Sequence, residues 1–391
     1  MITPEAHELP DLVRDLHRQA AAWQPAGLGS RLGWGPPLAT DLPAISTAAL
    51  RGVVDHSPGD FTISVQAGTP LAELQAELAP HRQWLAIDPA WGAGDSSLGG
   101  LVARGLAGGY RQRYLGLRDQ LIGIHLLRAD GTAARAGGRV VKNVAGYDLM
   151  RLFCGSWGSL GLITRLTVRT LPLPPQRLGL VVQGAARQLN DLTAALLASS
   201  LTPERLDRCS PTLAAAAGLA TAPTLVIGLA SIDAASLEEQ ADGIARLSGL
   251  TVQRLAPEAL GPLVALLNGS GEDPSWLLRL GVPSSRVGAL LDDAALADLP
   301  VQVAAGDGLG MAWSSGAAGL SADRVTGIRR RCRELGGWLT LLRQPAGTGL
   351  AAWDDAPSRP VIEAIKRQFD PLGQLSPGRL PGVNRQSVSS R

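Results

Sequence analysis

Apolar residues in the first 170 positions follow helical spacing in some segments and strand spacing in others. Segment 9–16 places leucines and a valine at helical spacing, with Pro10 in the first turn, and predicts an amphipathic helix. Segments 61–66, 122–126 and 165–169 alternate apolar with small or polar residues, which indicates half-buried strands. Thr69 and Pro70 open a segment with leucines on one helical face. This part of the chain is predicted to mix helices and strands.

A proline-rich run at 171–175 separates this region from the next, because prolines cannot continue a sheet ladder or a helix. Beyond it, apolar strand-like runs such as LGLVVQG, TLVIGLA, WLLRLGV and GWLTLLRQ alternate with helical stretches such as AASLEEQADGIARL. The pattern predicts an α+β domain with helices on one side of a sheet. We therefore predict boundaries that give segments 1–175, 176–357 and 358–391, the last beginning with a helix.

Composition limits the class of protein. Hydrophobic residues make up 45% and charged residues 18%, which predicts a globular chain. The 36 basic and 34 acidic residues are scattered, so nucleic acid is not expected as a partner. Cys154, Cys209 and Cys332 lie far apart without a CxxC pair, which excludes a self-contained iron–sulfur cluster and argues against a disulfide scaffold.

The distribution of apolar residues also bears on where in the cell the protein is expected. The N-terminal segment is charged throughout and does not read as a signal peptide, and no run is long enough for a transmembrane segment. We expect a cytoplasmic protein, with peripheral attachment to a membrane through partners left open.

Three glycine-rich segments carry the candidate chemistry, because glycines let backbone N–H groups approach a ligand without side-chain obstruction. They are 27–33, 96–109 and 155–165. The first does not fit the dinucleotide fingerprint, since its third glycine comes one residue late and Pro36 and Pro37 follow. Each segment alone is also typical of a surface turn or a tightly packed helix. Together, beside predicted strands, they favour a groove for a flat, extended cofactor.

The order of these segments resembles the FAD-binding fold of the vanillyl-alcohol oxidase and p-cresol methylhydroxylase (PCMH) superfamily. KNVAGYDLMRLFCGSWGSLGLIT (142–164) and FDPLGQLSPGRL (369–380) resemble segments of the FAD-binding E subunits of glycolate oxidase, with Ser376 where Asn is usual. The resemblance implies an α+β fold: a PCMH-type two-subdomain FAD-binding domain at 1–175 and an α+β cap domain with an antiparallel sheet at 176–357. It implies that the helix and tail at 358–391 pack back on the FAD domain.

The resemblance also implies that the three segments bind FAD. The first loop lacks the histidine that relatives with covalent flavin carry there, and Cys154 lies in a different segment, so we expect non-covalent FAD. The implied cofactor-binding residues are Pro25, Gly27, Leu28, Gly29, Ser30, Arg31, Ser96, Ser97, Gly99, Gly100, Ala103, Gly105, Asn143, Gly158, Gly161, Leu162 and Ile163.

The catalytic residues are not identified by the sequence. Oxidation of a 2-hydroxy acid on a flavin needs a cation for the carboxylate and a base for the hydroxyl proton. Arg279 and Arg343 lie in apolar strand-like runs and are candidate clamps, unless each pairs with a nearby carboxylate or extends to water. His125 is interpreted as a structural residue. The resemblance implies that Lys142 and Tyr147 lie near the flavin, where each could take part in catalysis or only bind the cofactor.

The resemblance implies an FAD-binding subunit of a glycolate oxidase or dehydrogenase complex in glyoxylate metabolism. Such a subunit would take part in oxidising glycolate, or D-lactate, to the 2-oxo acid. Its partners would be a larger FAD-containing subunit and an iron–sulfur subunit that receives the electrons. Two alternatives remain open: a self-sufficient FAD-dependent D-2-hydroxy-acid dehydrogenase, and a non-catalytic scaffold with a flavin fold.

Overall fold

The computed structural model describes residues 1–38, 42–91, 94–138, 148–256, 258–315, 320–381 and 383. The α-helices of these residues are α1 (Leu9–Arg18), α2 (Leu71–Leu78), α3 (Leu98–Arg104), α4 (Arg111–Tyr114), α5 (Leu117–Gln120), α6 (Leu149–Phe153), α7 (Ala186–Ala198), α8 (Pro211–Ala216), α9 (Ala234–Ser248), α10 (Leu260–Leu267), α11 (Val287–Leu291), α12 (Ala322–Glu334) and α13 (Arg359–Phe369). Their strands are β1 (Gln24–Ala26), β2 (Ala44–Ser46), β3 (Val53–Ser57), β4 (Thr62–Gln66), β5 (Gln83–Trp84), β6 (Leu121–Leu127), β7 (Ala133–Gly137), β8 (Leu162–Arg169), β9 (Leu171–Pro172), β10 (Gln176–Gln183), β11 (Arg205–Cys209), β12 (Thr224–Ser231), β13 (Val252–Arg254), β14 (Trp276–Gly281), β15 (Val301–Ala304), β16 (Leu309–Ser314) and β17 (Trp338–Arg343).

A five-stranded antiparallel sheet, in the order β3-β4-β8-β6-β7, organises the first part of the chain. Its inner face packs against α2, α3, α5 and α6 in one apolar core. The predicted strand at 61–66 forms as β4 but is buried on both faces. The buried hydroxyls of Ser64 and Thr167 satisfy each other by a hydrogen bond of 2.8 Å between neighbouring strands. Phe61 lies outside the strand with a positive φ and is exposed.

An eight-stranded antiparallel sheet, in the order β13-β10-β12-β11-β15-β16-β14-β17, forms the second part. α7 and α9 cover one half of a face, and α11 and α12 cover the other half. The opposite face packs against Trp34, Trp91 and Leu106 of the first part. α8 and α10 also contribute to that opposite core, so the helices are not confined to one side as the pattern predicted. The α+β class and the antiparallel sheet are confirmed.

The proline-rich run at 171–175 does enter a sheet ladder, contrary to expectation, but only over two residues. β9 pairs with β5, and the Leu173 N–H donates to the Arg82 carbonyl at 2.8 Å. Pro172 lacks an N–H, which limits the pairing. The five-stranded sheet ends with Arg169 and the eight-stranded sheet begins with Gln176.

The helix α13 is fixed to the first part of the chain by the buried Lys366. Its Nζ donates to the carbonyls of Ser159 and Leu375, both at 2.8 Å, and pairs with Asp370 at 2.5 Å. Residues after α13 add backbone bonds to Trp23, whose N–H donates to the Gln374 carbonyl and whose carbonyl accepts from Ser376. These contacts place the closing segment beside β1.

A buried ionic network joins the first part of the chain to the eight-stranded sheet. Asp88 accepts from Arg205 at 3.1 Å and from the Tyr110 backbone N–H at 3.1 Å. Arg205 also pairs with Asp207 at 2.5 Å, and Gln302 donates to Asp207 at 2.6 Å. Burial raises the pKa of Asp88 to about 6, although Arg205 opposes the shift.

This network predicts a pH-dependent difference in stability between the wild type and Asp88→Asn. The folded pKa of Asp88 lies above its unfolded value, so its contribution is fully present below about pH 4 and is lost as pH rises through about 6. Relative to the variant, the wild type should lose unfolding free energy over that range, by up to ~3 kcal/mol. Urea unfolding at several pH values measures the difference. Exposed Asp60→Asn is the matched control, and parallel curves for the wild type and Asp88→Asn would contradict the assignment.

Candidate functional site

A groove lies where the three glycine-rich segments converge. It contains about 800 Å³ of empty space, part of it open to solvent. The segment that follows β1 forms one wall, α3 and the two serines before it form another, and the turn leading into β8 forms a third. The closing segment after α13 adds Ser376 and Arg379. Most of this surface is backbone and small side chains, which suits an extended ligand.

The first two segments touch so closely that a side chain would not fit between them. A Cβ placed on Gly27 would lie 2.0 Å from the Ser97 Oγ. That hydroxyl caps α3 by accepting from the Gly100 N–H at 3.2 Å. On the other side, the Ser46 hydroxyl donates to the Gly27 carbonyl at 2.7 Å. Gly27 is therefore held between β2 and the start of α3.

Three arginines line the groove, and their partners differ. Arg31 forms two hydrogen bonds with Asp95, at 2.8 and 2.9 Å, so its charge is neutralised. Arg379 is 5% exposed and donates to the carbonyls of Trp34, Pro36 and Leu32 and to the Gln24 side chain. Burial lowers the pKa of Arg379 to about 10, which leaves it protonated at neutral pH.

Arg104 is the third arginine and is 8% exposed. Its Nη2 donates to the Ser96 hydroxyl at 2.8 Å, but its Nη1 is buried without a hydrogen-bond partner. Among the residues that the structure describes, neither Arg104 nor Arg379 forms an ion pair with a carboxylate. The buried Ser156 hydroxyl on the third wall also lacks a partner. Two buried cations without carboxylate partners, together with unused donors, fit an anionic ligand that carries phosphate groups.

Most residues predicted to bind the cofactor line this groove. Gly105 does not: it ends α3 with φ +61° and packs against Gly155. Asn143 lies outside the described residues, as do Lys142 and Tyr147. The binding role of the whole set stays a prediction. The predicted residues that line the groove are Pro25, Gly27, Leu28, Gly29, Ser30, Arg31, Ser96, Ser97, Gly99, Gly100, Ala103, Gly158, Gly161, Leu162 and Ile163.

Sequence reasoning missed several lining residues. Arg104 could have been found, because it follows Gly100 by one helical turn and shares its face. Ser376 and Arg379 lie in the closing motif, which the sequence singled out without assigning them to the cofactor. Gln24 and Thr47 carry no local signal, because pairing of β1 with β2 brings them to the groove.

A second cavity of about 1350 Å³ borders the groove at Ser30 and Arg31. It lies between the loop after β5, the end of α10 and the eight-stranded sheet. Four carboxylates and two guanidiniums line it: Asp88, Asp95, Glu272, Asp273, Arg31 and Arg343. Its lining is therefore net negative at neutral pH, and three carboxylates still outnumber two guanidiniums if Asp88 is protonated.

The two candidate clamps occupy different places. Arg343 lines the second cavity, where it pairs with Asp273. Arg279 lines neither the groove nor this cavity, and its guanidinium lies 5.1 Å from the centre of the Trp338 ring. Burial, with Arg111 nearby, lowers the pKa of Arg279 to about 10. Their catalytic roles stay predictions.

No histidine lines the groove or the second cavity in the described part of the chain, which includes all five histidines. His125 lies on β6, where burial and then Arg165 and Arg135 lower its pKa. The same residues contain no cluster of three metal-ligating side chains. They also contain no helix long and apolar enough to span a membrane.

Comparisons with known proteins identify the family of the chain. Residues 3–137 match a family model described as an FAD binding domain. The chain is 32% identical over 330 residues to the glycolate oxidase subunit GlcE of Escherichia coli (strain K12), covering 84% of this chain and 85% of that protein. It is 31% identical over 169 residues to the glycolate oxidase subunit GlcD of Bacillus subtilis (strain 168), covering 42% and 35%. It is 32% identical over 170 residues to a probable mitochondrial D-lactate dehydrogenase of Danio rerio, covering 43% and 34%.

Solved structures show the same fold. Two structures of alkyldihydroxyacetonephosphate synthase superpose with TM-scores of 0.68 and 0.69 at 16% and 15% identity. Each covers 95% of this chain. The fold is the PCMH type, and FAD is the cofactor that the family match supports.

The contact at Gly27 predicts the effect of a single methyl group. Gly27→Ala should push the Ser97 hydroxyl off the Gly100 N–H, destabilise the protein by about 1–2 kcal/mol and lower the FAD content. Gly33→Ala in the same loop is the control, because its Cβ would meet no atom within 4 Å and its φ is not positive. Thermal unfolding and flavin absorbance measure both. Equal behaviour of the two variants would show that the contact does not matter.

Proposed function

The chain belongs to the family of FAD-binding flavoproteins that includes the glycolate oxidase subunit GlcE, and we propose that it is the FAD-binding subunit of a hydroxy-acid-oxidising complex. The substrate would be glycolate, or D-lactate, and the product the 2-oxo acid. Electrons would pass to an iron–sulfur partner subunit, beside a larger FAD-containing subunit. The observation that carries the proposal is the groove with its two buried arginines that lack carboxylate partners.

The groove supplies the parts that FAD needs. The backbone of 27–30 and the serines at 96 and 97 would hold the diphosphate, since they offer N–H and O–H donors across a gap without side chains. The apolar Leu162 and Ile163 would cover the nucleotide end and exclude water there. When bound, FAD would accept two electrons from the substrate and pass them to the next electron carrier.

The second cavity supports dependence on a partner. A 2-hydroxy acid is an anion, and this lining has four carboxylates against two guanidiniums. Both guanidiniums are engaged, Arg31 with Asp95 and Arg343 with Asp273. No histidine is present there among the described residues to act as a base. We therefore infer that a partner subunit supplies the cation and the base for the substrate.

The isolated chain is expected to bind FAD without oxidising glycolate at an enzyme-like rate. The measurement is dye reduction by the purified chain, alone and with its co-purified partners, at saturating glycolate and D-lactate. Turnover above about 1 s⁻¹ by the chain alone would favour a self-sufficient dehydrogenase. A colourless native chain that takes up no added FAD would instead favour a scaffold.

The flavin should be released without breaking a covalent bond. The first loop holds no histidine, and burial raises the pKa of the Cys154 thiol to about 11, which disfavours the reactive thiolate. Acid precipitation should leave all of the flavin in the supernatant as FAD. A yellow pellet with a flavin-bearing peptide would show a covalent link.

A further inference from the structure

Arg104 has one buried guanidinium nitrogen without a hydrogen-bond partner among the described residues. The residue lies at the last position of α3 and its side chain runs back along the helix. Its Nε donates to the Gly100 carbonyl at 3.3 Å and its Nη2 to the Ser96 hydroxyl at 2.8 Å. Its Nη1 is buried and has no partner. The two bonds fix the plane of the guanidinium and leave one of its nitrogens without a partner, in a side chain that lines the groove.

Among the described residues, Arg104 forms no ion pair with a carboxylate; its guanidinium lies 5.3 Å from the centre of the Trp34 ring, which offsets only part of its charge. Burial, and after it the nearby Arg31, lower the pKa of Arg104 to about 10, while Asp95 acts in the opposite direction. Asp95 is already bound by Arg31 through both of its oxygens. A buried cation without a counter-charge destabilises the folded protein unless a ligand completes it. With a pKa of about 10 the guanidinium stays protonated at neutral pH, so an anionic ligand would compensate its charge.

The other two arginines of the groove do not meet this description. The hydrogen bonds of Arg379 within the described residues go to oxygens of residues 24–36, so it fixes the shape of the first loop. Arg31 is neutralised by Asp95. Within the described groove lining, Arg104 is thus the guanidinium that combines an unused N–H with an unpaired charge.

We propose that Arg104 pairs with the diphosphate of FAD and makes this groove selective for diphosphate-bearing ligands over a bare flavin. The proposal rests on the proposed function. Its position carries it: the hydrogen-bond partners of Arg104, Ser96 and Gly100, flank Ser97, which meets Gly27 across the groove. The formal negative charge of FAD lies on its two phosphates, and a guanidinium matches phosphate oxygens in geometry as well as in charge. The Ser96 hydroxyl, which accepts from Arg104, keeps its own hydrogen for the same oxygens.

The test compares ligands with and without the diphosphate. Deflavinated full-length chain is titrated with FAD, ADP and riboflavin, at low and high salt, for the wild type, Arg104→Gln and Arg104→Lys. Arg104→Gln should weaken FAD and ADP roughly ten- to a hundredfold and leave riboflavin unchanged. Arg104→Lys should recover part of the loss. Arg187→Gln, which removes an exposed charge on α7, is the matched control and should bind all three ligands as the wild type does.

Thermal unfolding separates this role from a structural one. Without ligand, Arg104→Gln should be at least as stable as the wild type, because an uncompensated buried charge is removed. With FAD, its melting temperature should rise less than that of the wild type. A variant that loses stability without ligand and gains as much from FAD as the wild type does would assign Arg104 a structural role and overturn the proposal.

The other outcomes are also decisive. If Arg104→Gln lowers the affinity for FAD and riboflavin equally and leaves that for ADP unchanged, the Arg104 charge acts on the flavin ring. If it leaves the affinity for FAD unchanged, Arg104 has no role in binding. Either result overturns the proposal while the proposed function stands. If Arg104→Gln fails to fold, Arg104→Lys and the salt dependence of the wild type test the proposal instead. The affinity for FAD and ADP must then fall as salt rises, and the affinity for riboflavin must not. A wild-type chain that binds no FAD would instead contradict the proposed function.

Discussion

The close approach of the first loop to the start of α3 is the constraint on which the site depends. Two backbone segments can lie this near each other only where Gly27 faces Ser97, since a Cβ would come within 2.0 Å of the hydroxyl. The surrounding structure keeps this approach in place. β1 pairs with β2, Ser46 holds the Gly27 carbonyl, and backbone bonds to Trp23 tie the closing segment beside them. Residues from both ends of the chain thus shape one groove whose walls are mostly backbone.

Charge then distinguishes the groove from its neighbour. In the second cavity each guanidinium has a carboxylate, as Arg343 has Asp273; Asp88 pairs with Arg205, and Glu272 has no ion pair among the described residues. In the groove, Arg104 and Arg379 have none among the described residues. A buried unpaired cation is costly in an empty site, so its presence indicates that the folded protein is completed by an anion. Under the proposed function, the groove would hold the phosphate-bearing cofactor, and the negative lining of the second cavity would disfavour a small anion.

Much of the fold follows from local patterns, and the exceptions have physical causes. The apolar runs at β10, β12, β14 and β17 are strands, as their composition predicts. Sequence patterns did not show that α8 and α10 lie opposite the other helices, because a helix with apolar residues can pack on either face of a sheet. The three glycine segments could be predicted as walls of a groove. The roles of Arg104 and Arg379 could not, since an arginine in the sequence does not reveal whether a carboxylate will reach it in the fold.

Under the proposed function, the difference in charge between the groove and the second cavity accounts for the dependence on a partner subunit. Oxidation of a hydroxy acid requires the substrate carbon to lie against the flavin while its carboxylate is held by a cation. Arg31 lies at the border between the groove and the second cavity, but it already forms two hydrogen bonds with Asp95. A second protein surface that brings a cation to this border would compensate the excess carboxylates and hold the substrate in the same step. The negative lining would then favour assembly with a basic partner surface, because opposite charges both steer and orient association.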